Sequence, residues 1–464
     1  MRRQLPLLLT AAAPALALLA GCSMEPKYAR TELPVPASWP VGDAYLRQSE
    51  AALPSYRWQD VFGDPRLQAV IAQALANNQD LAVAAANIAA ARSQYKIQRA
   101  ELLPELDLGA SYRRTGGGSS ADANSFSLDF GFSGYELDLF GRVRSATHAA
   151  QDRYFATEAG ARATRLTLVS DVADAWLAYA ADATLLKIAQ DTAAAARQSA
   201  DLTGKRLSGG IAPRTDLRQA EITLHTAEAD IAAQTTAVAQ DLNALQLLVG
   251  APIDSANLAP SIADAGSRLR EVPAGLDSTI LLRRPDVLQA EWQLRAATAD
   301  IGAARAALFP RISLTTLLGF AAPGLGSLFD GGNFSYQAGA DASYPVFRAG
   351  AGKANVVLTE AQRDAALATY RKAIQSAFAD VADTLARRGT IDRQLSASRA
   401  GREAAADNAR LTDMRYRGGV SSYLESLTAQ QALYSAERAL VNVQRLRAIN
   451  LVALYRSLGG EAFE

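Results

Sequence analysis

The chain has 464 residues, and its 47 Lys+Arg are balanced by 47 Asp+Glu, so the formal charge is zero. Neutrality excludes nucleic acid as a main partner, because that binding needs surplus cations to displace counterions from phosphates. An apolar fraction of 49% marks a folded chain, while one Cys and two His rule out disulfide frameworks, cysteine zinc clusters and imidazole-rich metal centres.

The N-terminus reads Met1-Arg2-Arg3, then an apolar run from Leu5 to Gly21 that ends at Cys22. A basic start followed by a short apolar run is a secretory signal. With 17 residues, and with Pro6 and Pro14 inside it, the run is marginal for a bilayer-spanning helix. The junction Leu19-Ala20-Gly21-Cys22 resembles the lipobox of bacterial lipoproteins. That resemblance implies a signal peptide over 1–21, an acylated Cys22 and a lipid-bearing segment 22–57. Ser23, where an inner-membrane retention signal has Asp, implies sorting to the outer membrane. No later stretch has 18 consecutive apolar residues, so any spanning structure must be a closed β-barrel, the alternative that satisfies backbone polar groups in lipid.

An internal duplication organises the rest. Asp171-Val172-Ala173-Asp174 recurs as Asp380-Val381-Ala382-Asp383, Gly209-Gly210 as Gly418-Gly419, and Leu245 through Gly250 aligns with Leu454 through Gly459, all at an offset of 209. Earlier, Leu103-Pro104 matches Phe309-Pro310 and Asp80 matches Asp286, at an offset of 206. Ordered markers at a nearly constant offset give two copies of one long unit, 58–250 and 277–459, with a linker 251–276 and a tail 460–464. The period is too long for a solenoid.

Each copy reads helix, two strands, helix, turn, helix. Asp64 to Arg99 is Ala-rich and free of Pro after Pro65. From Arg142 to Leu202 there is no Pro, and Leu166, Val169, Ala173, Trp176, Ala180 and Ala183 alternate three- and four-residue steps, a coiled-coil seam. Sixty-odd helical residues span roughly 90 Å.

Between the helices the period becomes two. Strands are expected at about 105–114 and 125–139, and again at about 311–320 and 333–347. Leu106, Leu108, Ala110 and Tyr112 alternate with polar residues, as do Phe126, Leu128, Phe130 and Phe132; a loop is expected at Thr115–Ser120 and a bulge at Ser133-Gly134. Leu317 interrupts the polar face of the third strand. About ten residues of apolar–polar alternation is the pattern of a membrane β-strand. Four strands cannot close a barrel alone, since small barrels need roughly eight, so the barrel is shared between subunits. Periodicity leaves dimer and trimer open.

With both strand-opening prolines (Leu103-Pro104-Glu105-Leu106, Phe309-Pro310-Arg311-Ile312), both tips (Arg206-Leu207-Ser208-Gly209-Gly210-Ile211, Arg415-Tyr416-Arg417-Gly418-Gly419-Val420) and Tyr423-Leu424-Glu425-Ser426-Leu427, the sequence resembles the TolC-like outer-membrane efflux proteins, in their NodT or OprM-like lipoprotein branch. The resemblance covers Trp58 to Gly459. It implies a mainly α fold with a membrane β-barrel: a homotrimer whose four strands per chain make a shared twelve-stranded barrel, above a long coiled-coil α-barrel. It also implies a periplasmic adaptor docking at Gly209, Gly210, Gly418 and Gly419, an inner-membrane RND or other efflux transporter beyond it, and a gate at Tyr423 and Leu424. Asp216 and Glu425 occupy matching tip positions, and three-fold symmetry would set three Glu425 around the mouth. A family acid three residues on is Thr428 here, which weakens any second acidic ring. Each acid also has a simpler reading as a helix-start carboxylate favoured by the dipole.

His148 and His225 read as surface residues, and Glu136 and Asp138 as solvated lumen neighbours rather than a glycosidase pair. No nucleophile elbow, phosphate loop or metal cluster is found, so no enzyme activity and no cofactor beyond the lipid on Cys22 is expected. The leading function is an outer-membrane exit duct of a tripartite pump for drugs or other small molecules. The alternatives are the duct of a type I protein secretion system, and a periplasmic coiled-coil structural lipoprotein without a pore.

Overall fold

A computed structural model of the chain describes residues 23–30, 34–36, 38–40, 42, 45, 57–117, 120–270 and 278–460. The signal peptide expected over 1–21, Cys22, much of 22–57, part of the linker and most of the tail lie outside the described residues. In chain order the helices are α1 (Trp58–Val61), α2 (Pro65–Asn77), α3 (Gln79–Ala100), α4 (Arg142–Ser208), α5 (Arg214–Val249), α6 (Ile262–Ser267), α7 (Pro285–Ala306), α8 (Ala351–Arg417) and α9 (Tyr423–Ser457). The strands are β1 (Asp107–Gly117) and β2 (Ser120–Glu136) between α3 and α4, and β3 (Arg311–Ala322) and β4 (Phe334–Ser343) between α7 and α8. Among the described residues no helix is long and apolar enough to cross a membrane.

The chain forms two compact units, and neither is one repeat. The first gathers Ala86–Ala159 and Leu288–Lys372 with the described residues before 32; the second gathers Leu33–Ala85, Gly160–Val287 and Ala373–Glu464. Each copy of the duplication thus contributes to both.

In the first unit the four strands form one antiparallel sheet in the order β1-β2-β3-β4. Its register gathers the alternating apolar residues on one face: Tyr112 pairs with Phe126 and Leu108 with Phe130, Leu128 with Phe320, and Leu318 with Tyr336. Because side chains alternate, the intervening Asp107, Asp129, Ser313 and Asp341 share the other face. The ladder shifts between Phe132 and Tyr135, where Gly134 has φ +72°, at the bulge that the parity change marks. β1 and β4 are exposed along their whole lengths and are the sheet's two open edges.

Several expected bounds are corrected. β1 runs on to Gly117 and β2 starts at Ser120, so pairing extends into the stretch that composition assigned to a loop. β2 ends at Glu136 rather than 139, and Asp138 is not a strand neighbour in the lumen. Instead Glu136 takes both arms of Arg142 at 2.8 Å, and Asp138 accepts the Arg144 backbone N–H at 2.8 Å, which fastens the start of α4. β4 stops at Ser343 rather than 347, because Pro345 cannot donate to a ladder.

In the second unit, α2 begins with Asp64 accepting the Arg66 N–H at 2.9 Å and Pro65 at the first helical position. Its buried Leu67, Val70, Ile71 and Ala74 follow helical spacing. The single helix expected from Asp64 to Arg99 is broken at Asn78, whose backbone is extended. Asn78 accepts the Leu81 N–H at 3.1 Å and donates to the Leu248 carbonyl at 2.8 Å. Arg284, at the matching place in the second copy, donates to the Ser457 carbonyl at 2.9 Å. The same junction is therefore built twice with different side chains.

The 67 residues of α4 span about 100 Å at 1.5 Å each. Along its seam Val169, Ala173, Trp176 and Ala180 are buried, with Leu166 and Ala183 half-buried. The Trp176 indole donates to the Asn257 carbonyl at 2.9 Å, so the seam also receives the linker, part of which folds as α6.

Candidate functional site

The two tips are the same turn made twice. After α4, Gly210 has φ +69°, and the Ile211 N–H returns to the Arg206 carbonyl at 2.8 Å. After α8, Gly419 has φ +73°, and the Val420 N–H returns to the Arg415 carbonyl at 2.9 Å. These are left-handed helix caps, which favour glycine. Gly209 and Gly418 have ordinary negative φ, so the second glycine of each pair carries the conformational requirement. Ile211 and Val420 are exposed beyond the glycines.

The next helices start differently. Ser422 caps α9 by accepting the Glu425 N–H at 3.4 Å, while Pro213, at the equivalent place before α5, offers no side-chain cap. Asp216 and Glu425 stand in the first turns of α5 and α9, where the helix dipole favours a carboxylate. Glu425 and Leu424 are exposed and Asp216 is half-buried.

Tyr423 is different: it is 2% exposed and packs with Ala220, Tyr416 and Leu427. Its ring centroid lies 5.3 Å from that of Tyr416. Burial pushes its hydroxyl pKa up, against the opposing hydrogen bond with Ser199. Arg206 completes the contact. Its guanidinium lies 4.4 Å from the Tyr416 ring centroid and donates to the carbonyls of Tyr416 and Arg417 at 3.2 and 3.0 Å. One cation thus serves the carbonyl end of α8 and ties the first hairpin to the second. The sequence marked Arg206 only as part of a repeated motif, because a contact 210 residues away leaves no local signal.

His148 pairs with Glu25 at 2.9 Å and His225 with Glu228 at 3.1 Å. Among the described residues no group of three or more His, Cys, Asp or Glu is placed to hold a metal. What this arrangement supplies is a sheet with one apolar face and two open edges, and paired helical tips bearing carboxylates.

The pattern of the family described as outer membrane efflux protein matches residues 70–251 and 276–460. The chain belongs to the outer membrane efflux protein family. Among curated members of this family, it is 41% identical over 456 residues to the probable efflux pump outer membrane protein TtgC of Pseudomonas putida, covering 96% of this chain and 94% of that one. It is 38% identical over 450 residues to the outer membrane protein OprJ of Pseudomonas aeruginosa, at 95% and 93% coverage. The open-state MtrE outer membrane channel of Neisseria gonorrhoeae superposes with a TM-score of 0.84 at 34% identity, covering 95% of this chain and 98% of that one. The mainly helical fold with four strands is that of these channels.

Proposed function

We propose that the protein is the outer-membrane exit duct of a tripartite efflux pump, conducting small molecules passively and catalysing no reaction. The observation that carries this reading is the sheet: its apolar residues share one face, and its edge strands of 11 and 10 residues are nearly equal in length and both open. In lipid each unsatisfied backbone group costs several kcal/mol, so the edges must pair with other copies. Three chains pairing β4 to a neighbour's β1 give a closed twelve-stranded barrel.

In this reading the polar sheet face lines the lumen, and the exposed tips meet a periplasmic adaptor that links the duct to an inner-membrane transporter. Leu424, Glu425 and Asp216 border the mouth, while Tyr423 acts from behind them by bracing the second hairpin against the first. Acyl chains on Cys22 add an anchor at the outer membrane. The names of TtgC and OprJ, an efflux pump outer membrane protein and an outer membrane protein, support the assignment.

Native mass spectrometry of detergent-extracted protein should show three copies, and planar-bilayer recordings with a tip-opening substitution should show discrete conductance. A stable folded monomer, or purified oligomer that stays non-conducting, would replace this reading with a structural lipoprotein.

A further inference from the structure

The irregular segment 23–30 is seated on α7 and the first turns of α4 by three fastenings. Tyr28 and Arg30 both donate to the buried Glu291, at 3.2 Å from the tyrosine hydroxyl and 2.5 Å from the guanidinium, and Arg295 donates to the same carboxylate at 2.8 Å. The Arg295 guanidinium also lies over the rings of Tyr28 and Trp292, at 4.6 and 4.5 Å from their centroids. Finally, Glu25 meets His148 of α4 at 2.9 Å, and its backbone crosses Gly302 of α7 so closely that a Cβ there would lie 2.8 Å from the Glu25 Cα and 2.7 Å from Ser145 Oγ of α4. A helix interior disfavours glycine. At Gly302 the space of a side chain is taken by the segment and by Ser145 of α4 together.

The contacts have a direction. As the segment runs back from Arg30 to Glu25, its partners on α7 advance from Glu291 to Gly302, toward the end that leads into β3. Glu25 also reaches His148, within two turns of where α4 leaves β2. Two residues, Ser23 and Met24, separate Glu25 from Cys22, a reach of at most about 11 Å. Beyond Arg30, the next described aromatic contact is Trp39, stacked on Phe378 at 4.9 Å. With the fastenings undone, the tether from Trp39 to Cys22 would be 17 residues, roughly 60 Å extended.

We propose that residues 23–30 are a clasp that couples the lipid anchor on Cys22 to α7 and α4 and holds the acyl chains at the membrane rim of the sheet. The proposal rests on the reading of Cys22 as acylated. Its partner surface is the periplasm-facing leaflet of the outer membrane, and its determinants are Gly302, Glu291 and Arg30. The clasp removes the slack that would otherwise let the anchor and the sheet enter the bilayer independently.

The test uses full-length protein in outer-membrane fragments, labelled with palmitate and treated with a lysine-specific endoprotease, which cuts after the exposed Lys27 and leaves Arg30 untouched. Gly302→Leu and Arg30→Ala should separate the lipid-bearing peptide from the body at least tenfold faster than wild type. Gly401→Leu, at a helical glycine with open space around it, should behave as wild type. Equal cleavage rates in all four proteins overturn the clasp. Trimer assembly read by pulse-chase tests the coupling: Cys22→Ser and Arg30→Ala should each slow it, and the double variant should be no slower than Cys22→Ser alone. Defects that simply add overturn the coupling, because independent sites behave additively. Absence of palmitate on wild type would remove the acyl anchor instead, while loss of the stretch up to Lys27, read from the mass of the body, would still report the clasp.

Discussion

Arg206 holds Tyr416 twice, lying 4.4 Å from its ring centroid and donating to its backbone carbonyl at 3.2 Å. This cation joins the two hairpin tips within one chain, so removing it should free the second hairpin to swing. Arg206→Ala is expected to raise open probability in planar bilayers and to cost about 1 kcal/mol of stability for the partly exposed charged hydrogen bonds. Tyr416→Phe keeps the ring and loses only the 3.3 Å hydroxyl contact with Thr203, so its effect should be smaller. Unchanged conductance in Arg206→Ala would show that the contact does not restrain the mouth.

The glycine pairs should separate by backbone conformation. Gly210→Ala and Gly419→Ala place a Cβ in open space but on left-handed backbone, at a cost of about 1–2 kcal/mol each. Gly209→Ala, with negative φ and its nearest contact at 3.5 Å, should change stability by less than about 0.5 kcal/mol. Thermal dissociation of the trimer measures both. Equal losses at Gly209 and Gly210 would contradict the turn geometry.

Features that repeat or alternate were legible in the sequence. The constant offset of 209 gave the equivalence of the tips, and alternation from Leu106 to Tyr112 gave the sheet's apolar face. Features made by distant contacts were not. Asn78 is a residue that suits a helix cap, and it caps α3 through the Leu81 N–H; its hold on the Leu248 carbonyl, 170 residues away, left no local signal. Tyr423 illustrates the same limit. Resemblance assigned it to the mouth with Leu424, but adjacent residues on a helix face different ways, and in the single chain Leu424 is exposed while Tyr423 is buried against Tyr416. The sequence places 23–30 only within a lipid-bearing segment 22–57, because its partners on α7, Glu291 and Gly302, lie more than 250 residues away.

Asp174 should make stability pH-dependent. Burial, with Asp171 adding to it, pushes its carboxyl up to about 7, against the opposing pull of Arg456 and Arg445. An acid whose pKa is raised by folding contributes stability that is full below its unfolded value near 4 and is lost as pH rises through the folded value near 7. Three units at 1.36 kcal/mol each set a ceiling of about 4 kcal/mol, and relaxation with water entry should leave about 2. Urea unfolding between pH 4 and 8 should therefore show stability falling with pH, less steeply in Asp174→Asn. Identical pH slopes in the two proteins would mean that Asp174 ionises without cost.

Glu425 offers the sharpest test of the mouth. It is exposed in the first turn of α9, and three-fold symmetry would set three such carboxylates around a constriction, where low-dielectric walls focus the field. Glu425→Gln keeps most of the shape and removes the charge, so cation preference should fall while the trimer's thermal stability drops by no more than about 0.5 kcal/mol, the share of the helix dipole. Glu425→Lys should shift preference further, toward anions. Asp216→Asn serves as the comparison at the matching position: Asp216 is half-buried, and it is near enough to Tyr423 to help raise that hydroxyl's pKa, so less of its charge should reach the opening. Its ion selectivity should stay close to wild type. The measurement is reversal potential under a salt gradient in a background opened at Arg206. Equal reversal potentials in wild type, Glu425→Gln and Glu425→Lys would take Glu425 out of the pore and leave it as a carboxylate that only stabilises the helix start.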